Sequence, residues 1–436
     1  MIKSSLIIVP HQDDELNISG FVLEEFVRRN IKVNILYVTR GDYYKNKYVW
    51  RQRERDKVLE IFGSIEYKQL DYGDNYNFAN HIFNDSQLRE SVETDIYDYI
   101  LRCKSDLIIC IDYDLHADHR MVSCLFDRAM CRILKENIYY RPIVLKKFAY
   151  LGVWHGENDF FSENPKCTCA DICNENEKVY FASLPNSWED RICVKTKEND
   201  YSPTKFWKSK IFKAYKNYWT QCGYKFFFKA ANADIIYWFR NTRNLMLQAD
   251  VFASSGNPTY VNDFAIGNID SITEKFKEVE EKFPNSAWIP TDKKREIVIK
   301  WNKKVKIRSL KLYQNFKKLG HINEFQIIDE MGQCNICRCG KDDIEYFHFE
   351  KEVVTDNIRL QILDATGMAG IRELEFYEEN GEFPWDECPF EEYVKKELEY
   401  SRAKIQLMEK IEMIIWTELR LRNKVRKCLG LSYWGN

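Results

Sequence analysis

Two short segments of this chain gather residue types that do metal and acid–base chemistry. The first is Pro10-His11-Gln12-Asp13-Asp14-Glu15, the second Leu115-His116-Ala117-Asp118-His119. Three of the seven histidines fall in these two loops. Two imidazoles and one carboxylate, with open positions left over, suit a divalent catalytic ion such as zinc. His11, Asp14 and His119 can supply that set. Such an ion lowers the pKa of bound water and polarises a carbonyl. A neighbouring carboxylate must then take the proton, and Asp13 is adjacent in sequence. His116 can protonate a leaving group or stabilise an oxyanion, and Asp118 can orient an imidazole. The competing reading is structural: an Asp-rich N-cap in one loop and His119 capping a helix in the other. Chance explains one such loop far more readily than two. Two His and one carboxylate also form the facial triad of non-haem iron oxygenases, although those usually sit on a β-barrel.

The flanking elements decide where these loops stand. Residues 5–9 are a short apolar run that reads as a buried strand. Residues 17–30 carry Ile18, Phe21, Val22 and Phe26 at helical spacing, and 31–39 are β-branched and apolar. Strand, helix and strand in that order predict a parallel sheet with right-handed crossovers. Residues 51–62 read as a helix stopped by Gly63. Residues 106–112 (DLIICID) read as another buried strand, and 119–135 as a helix. Both chemical loops therefore follow strands directly, and ligand sites in open α/β sheets lie at the carboxyl ends of strands.

The two motifs resemble those of the PIG-L/LmbE-like N-acetylglucosaminyl deacetylase family, His-Pro-Asp-Asp-Glu and His-x-Asp-His. Thr39-Arg40-Gly41-Asp42, Arg51-x-x-Glu54 with Gly63, Asp71-Tyr72-Gly73 and residues 214–221 (AYKNYWTQ) are similar to further family features in the same order. The resemblance spans about 1–240. It implies a Rossmann-like α/β domain that binds Zn2+, or another divalent metal, and removes acetyl from an N-acetylated amino sugar. By position it implies His11, Asp14 and His119 as metal ligands and Asp13 as general base. It implies His116 as the second catalytic histidine, with Asp118 beside it. Arg51 and Asp71 match positions that contact sugar hydroxyls, and Asp42 is grouped with them as substrate-binding. One departure is Gln12 in place of the usual proline, which is expected to loosen the loop.

After about residue 245 the pattern changes. Ile297, Ile299 and Trp301 alternate with polar residues, as do Leu310 and Leu312, then Ile358, Leu360 and Ile362. Period-2 patterning without helices between the runs predicts an antiparallel sandwich. Residues 245–380 are similar to galactose-binding-like (discoidin-type) sandwiches, which implies glycan binding; the alternative is a purely structural module. From 385 to 436 the period is helical again, a packing or coiled-coil tail with a basic end. The expected architecture is thus a Rossmann-like parallel sheet flanked by helices, a β-sandwich and a helical tail.

Composition bounds the partners. At roughly 150 residues per domain, 436 residues allow about three domains. Lys+Arg is 65 and Asp+Glu 67, a formal net charge of −2, which removes any global pull towards nucleic acid or anionic membrane. Residues 205–229 mix lysines with rings, and an amphipathic helix packing on the sheet is favoured over base stacking. With no signal-peptide core and no apolar span, the expected compartment is cytoplasmic. The fourteen cysteines are then expected as thiols. Two clusters, Cys167/Cys169/Cys173 and Cys334/Cys337/Cys339, have three thiols each and lack a zinc-ribbon second half. The functional readings carried forward are an N-deacetylase, a glycan-binding protein with a silent metal site, and a deacylase of another N-acyl amine.

Overall fold

The computed structural model describes residues 2–42, 48–63, 65–73, 78–113, 116–149, 190–195, 210–218, 236–266, 287–315 and 319–392, with isolated positions between 410 and 429. Cys167, Cys169 and Cys173 lie outside the described residues. So do Lys205–Lys208 and most of the tail.

The first unit opens with β1 (Ser4–Val9), α1 (Asp14–Arg28), β2 (Lys32–Thr39), α2 (Tyr48–Phe62) and β3 (Ile65–Tyr72). It continues with α3 (Phe78–Asn84), α4 (Ser86–Cys103), β4 (Leu107–Ile111), α5 (Ala117–Glu136) and β5 (Ile143–Lys147). The short apolar runs become strands buried on both faces: β1, β2, β4 and β5 are almost wholly inaccessible. This is the pattern a parallel sheet covered by helices requires. The five strands are parallel in the order β3-β2-β1-β4-β5. The chain winds outward from β1 to β3 and then restarts on the other side at β4. β1 and β4 are hydrogen-bonded neighbours at this reversal, with Ser5 opposite Leu107 and Ile8 opposite Cys110. Here the two crossovers diverge and leave a crevice at the carboxyl edge. Both chemical loops open onto it.

Three antiparallel strands extend this sheet: β6 (Arg191–Lys195), β7 (Ile236–Arg240) and β14 (Glu391–Glu392). A further helix, α6 (Lys210–Asn217), packs on α1 and α2. Its Ile211, Ala214 and Tyr215 are buried while Lys210 and Lys213 face solvent. Within the described part of the basic-aromatic stretch the expected amphipathic helix forms, but it packs on α1 and α2, where the sequence reading set it on the sheet.

The second unit is built from β8 (Ala249–Ala253), β9 (Glu296–Gln314), β10 (Gly320–Asp329), β11 (Cys334–Arg338), β12 (Ile344–Gly367) and β13 (Ile371–Tyr377). Among the described residues they form a six-stranded antiparallel sheet, as the period-2 pattern predicts. β9 and β12 are 19 and 24 residues long, and their register slips between His348 and Val353 and between Thr355 and Asn357. Such irregularities bend strands. As a result Ile297, Ile299 and Trp301 from one end of β9 share a core with Leu310 and Leu312 from the other, around the fully buried Trp288. After β13 the chain returns to the first unit, where Phe383 and Phe390 join its core and β14 pairs with β6. Buried polar contacts cross between the units: Arg240 reaches the Phe264 carbonyl at 2.6 Å, and Lys311 pairs with Asp190 at 3.0 Å.

Cys334 is exposed, Cys337 buried and Cys339 between the two. Residues 334 and 337 are an odd number apart on β11 and project to opposite faces. Among the described residues, His11, His116 and His119 bring three potential metal-ligand nitrogens together. In the tail, Ile414, Leu421, Val425 and Leu429 are exposed. No described helix is long and apolar enough to cross a membrane.

Candidate metal and acid–base site

Asp13 stands at the N-cap position of α1, but its backbone is left-handed (φ 98°) and its side chain caps nothing. A non-glycine residue held there costs about 1–3 kcal/mol, which persists only where the surroundings enforce it. Capping therefore does not explain this aspartate. Its Oδ1 instead accepts from Arg51 Nη2 at 3.2 Å, while the same nitrogen donates to the Gln12 carbonyl at 2.8 Å. In the second loop it is His116, not His119, that caps α5, its Nδ1 accepting from the Asp118 N–H at 3.2 Å.

The pairing of β1 with β4 brings the two loops into contact. Asp14 Oδ2 lies 3.1 Å from His11 Nδ1 and 3.3 Å from His119 Nε2. His11 Nε2 lies 3.1 Å from Asp118 Oδ2, and Asp118 Oδ1 accepts from the Ala79 N–H at 2.9 Å. His116 stacks on His119 with ring centroids 4.6 Å apart. One imidazole nitrogen from each of His11, His116 and His119 lies within 4.8 Å of the other two. Asp13, Asp14, Asp118 and His119 are buried, and His116 is the most open of the group.

Burial and neighbours split the carboxylates. Burial raises Asp13 well above the usual range, with Asp14 adding to the rise and Arg51 opposing it. For Asp14 burial is outweighed by His119 and His11, and the group falls well below that range. Asp118 is lowered too, its His11 contact overcoming burial. For His11 burial is overcome by Asp118 and Asp14, which push it up to about 9. Glu15, fully buried, is raised to about 7 by burial, against hydrogen bonds from Tyr218 and the Asp13 N–H. The N-terminus of α1, whose partial positive charge favours anions, receives Asp14 and Glu15 in its first turn.

The donor set fits a metal ion. Tetrahedral ligands about 2.1 Å from zinc stand roughly 3.4 Å from each other. The separations of Asp14 Oδ2 from both imidazoles match that spacing, with one buried carboxylate between two histidines.

The structure also places the remaining expected residues. Asp42, buried, follows Gly41 at the end of β2, with Gly73 beside it. Asp71 at the end of β3 is largely exposed and pairs with Arg40 at 3.2 Å, so no contact joins it to the histidine cluster. Gln12 does not loosen its loop. It is fully buried, and its Nε2 donates to the Arg40 carbonyl at 3.1 Å and to Gln69 Oε1 at 3.3 Å. An amide thus ties the β1 loop to β2 and β3 where a proline ring would have stiffened it. Sequence reasoning passed over Glu15, Asn17, Tyr215 and Tyr218. Glu15 lies within the motif itself, but its tyrosine partner is 203 positions away.

Residues 6–130 match the family described as PIG-L: GlcNAc-PI de-N-acetylase, so the first unit carries a PIG-L domain. The structure is similar to the N,N'-diacetylchitobiose deacetylase from Pyrococcus horikoshii, at 17% identity over 33% of this chain and 60% of that one, TM-score 0.27. It is also similar to the A40926 pseudoaglycone deacetylase, at 15% identity over 34% and 64%, TM-score 0.27. A third likeness is to the family 32 carbohydrate-binding module of C. perfringens NanJ in complex with galactose, at 14% identity over 30% and 96%, TM-score 0.23. The chain spans less than two thirds of either deacetylase. No curated protein matches.

Proposed function

We propose that residues 1–240 form a zinc-dependent N-deacetylase that hydrolyses the acetamide of an N-acetylated amino sugar and releases acetate. The observation that carries this reading is the buried Asp14 carboxylate held between His11 and His119 at the β1/β4 crevice, with Asp13 beside it. It stands within a PIG-L domain.

His11, Asp14 and His119 would hold the metal, with His116 at its edge. The bound ion supplies Lewis-acid chemistry, acidifying water and polarising the amide carbonyl. Asp13 takes the proton of the attacking water, a role its raised proton affinity suits. Arg51 fixes the direction in which that carboxylate points. His116, the most accessible imidazole, delivers a proton to the departing amine and faces the developing oxyanion. Asp118 holds His11 through Oδ2 and is itself anchored by Ala79. Asp42 and Asp71 sit at the carboxyl ends of β2 and β3, on the same edge as the cluster, and are the proposed contacts to sugar hydroxyls together with Arg51.

We assign residues 245–380 as an accessory sheet module that binds glycan, and 385–436 as a tail. Mass spectrometry of N-acetylhexosamines, nucleotide sugars and chito-oligosaccharides incubated with the zinc-loaded protein tests the catalytic reading. One acetyl should be replaced by hydrogen, and a chelator should abolish the change. Metal-loaded protein that deacetylates no member of such a panel overturns it. Sugar retention that survives chelation, without turnover, would favour a binding protein instead.

A further inference from the structure

Asp14 uses its two oxygens differently. Oδ2 faces His11 and His119, while Oδ1 accepts from Asn17 Nδ2 at 3.4 Å. Asn17 lies one turn further along α1, so its amide reaches back along the same face. Its own Oδ1 accepts from the Tyr215 hydroxyl at 3.2 Å. Tyr215, on α6, is 1% exposed and Asn17 4%, so this chain of hydrogen bonds is shielded from water.

An asparagine amide can present either its NH2 or its oxygen to a neighbour, and the network around it decides which. With the phenol donating to the carbonyl, the NH2 is turned towards Asp14. Flipped, the amide would set an oxygen against a buried carboxylate. We infer that Tyr215, acting through Asn17, is a positioning residue that aims Asp14 at the histidine pair and thereby sets the affinity of the metal centre. This rests on reading Asp14 as a metal ligand. Outer hydrogen-bond partners of metal ligands commonly matter 10- to 100-fold, by fixing ligand orientation.

A comparison residue is at hand. Tyr237 is also fully buried and also ties α1, its hydroxyl donating to the Ile18 carbonyl at 2.9 Å, but its bond goes to backbone and not to Asn17 or Asp14. If these tyrosines only stabilise α1, losing either hydroxyl should act alike.

The test is zinc affinity by competition with a chelating dye, alongside thermal unfolding of the apo-protein, for Tyr215→Phe, Tyr237→Phe, Asn17→Leu and His119→Ala in the full chain. Tyr215→Phe and Asn17→Leu should weaken zinc binding about 10- to 100-fold. Tyr237→Phe should lower the unfolding temperature comparably to Tyr215→Phe and leave zinc affinity unchanged. Wild-type affinity in Tyr215→Phe, or equal losses in the two tyrosine variants, overturns the positioning role. If His119→Ala also keeps full affinity, the metal reading itself fails, and the relay with it.

Discussion

A single nitrogen of Arg51, Nη2, bonds both Asp13 Oδ1 and the backbone carbonyl of Gln12. Helix α2 thereby pins the loop after β1 at the residue whose backbone is least relaxed. Arg51 was expected to reach a sugar, and the structure gives it a protein partner of equal consequence. Without it, Asp13 faces Asp14 and Glu15 with only the weaker pull of His11 left to oppose them. Arg51→Met should destabilise the protein by about 3 kcal/mol, the usual cost of removing one partner of a buried pair. Arg51→Lys keeps the charge but cannot place its ammonium where the rigid guanidinium holds Nη2, and should recover only part of that loss. Urea unfolding measures both; wild-type stability in Arg51→Met would show the pair to be idle.

Asp13 and His119 should separate rate from metal. Asp13→Asn removes the proposed proton acceptor, and deacetylation should fall about 100- to 10,000-fold with zinc content unchanged. His119→Ala should lose zinc along with activity. Elemental analysis beside acetate release distinguishes them, and a fully metallated His119→Ala would remove that residue from the ligand set.

Gly41 and Gln12 should behave as a coupled pair. Gly41 has φ +75°, and a Cβ there would come within 1.9 Å of Gln12 Oε1. Gly41→Ala should therefore cost more than the roughly 1 kcal/mol of a strained backbone. In a Gln12→Ala background only the backbone part should remain. A double-mutant cycle on unfolding free energies should give a coupling of about 1 kcal/mol or more. Strict additivity would mean that the glutamine side chain simply swings away.

Asp263, at the junction of the two units, supplies a pH dependence. Burial raises it to about 7, and Asp127 adds to the rise, against the Ala265 N–H and Lys135. In the unfolded chain an aspartate titrates near pH 3.9. The folded state holds the proton more tightly, so its contribution is fully favourable below about pH 4 and is lost as pH rises through 7. Asp263→Asn, which keeps an oxygen for the Ala265 N–H, should stabilise the protein at pH 8 by about 2 kcal/mol and change little at pH 4. Thermal unfolding at the two pH values reads this out; an equal effect at both would mean the carboxyl stays ionised throughout.

Much of this organisation is legible in the sequence because its signals are local. The apolar runs that become β1, β2 and β4 are contiguous, and a loop after a buried strand must open on the sheet's carboxyl edge. What escaped reading is non-local or depends on side-chain direction. Gln12 has no visible reason to be a brace until β3 brings Gln69 beside it. Tyr215 and Asn17 are 198 positions apart, and their contact needs α6 laid across α1. The period-2 runs correctly announced antiparallel strands.

The crevice between β1 and β4 also constrains the order of assembly. β1 begins at Ser4, and its neighbour on that side begins at Leu107. During synthesis His11 emerges before His119 but cannot meet it until more than a hundred further residues have followed and β4 has docked. Long-range parallel pairing of this kind is intrinsically slow. Until it is complete, the acidic turn after β1 faces no histidine from the second loop. Zinc uptake should accordingly lag behind helix formation in refolding, and so report when the central strands have closed.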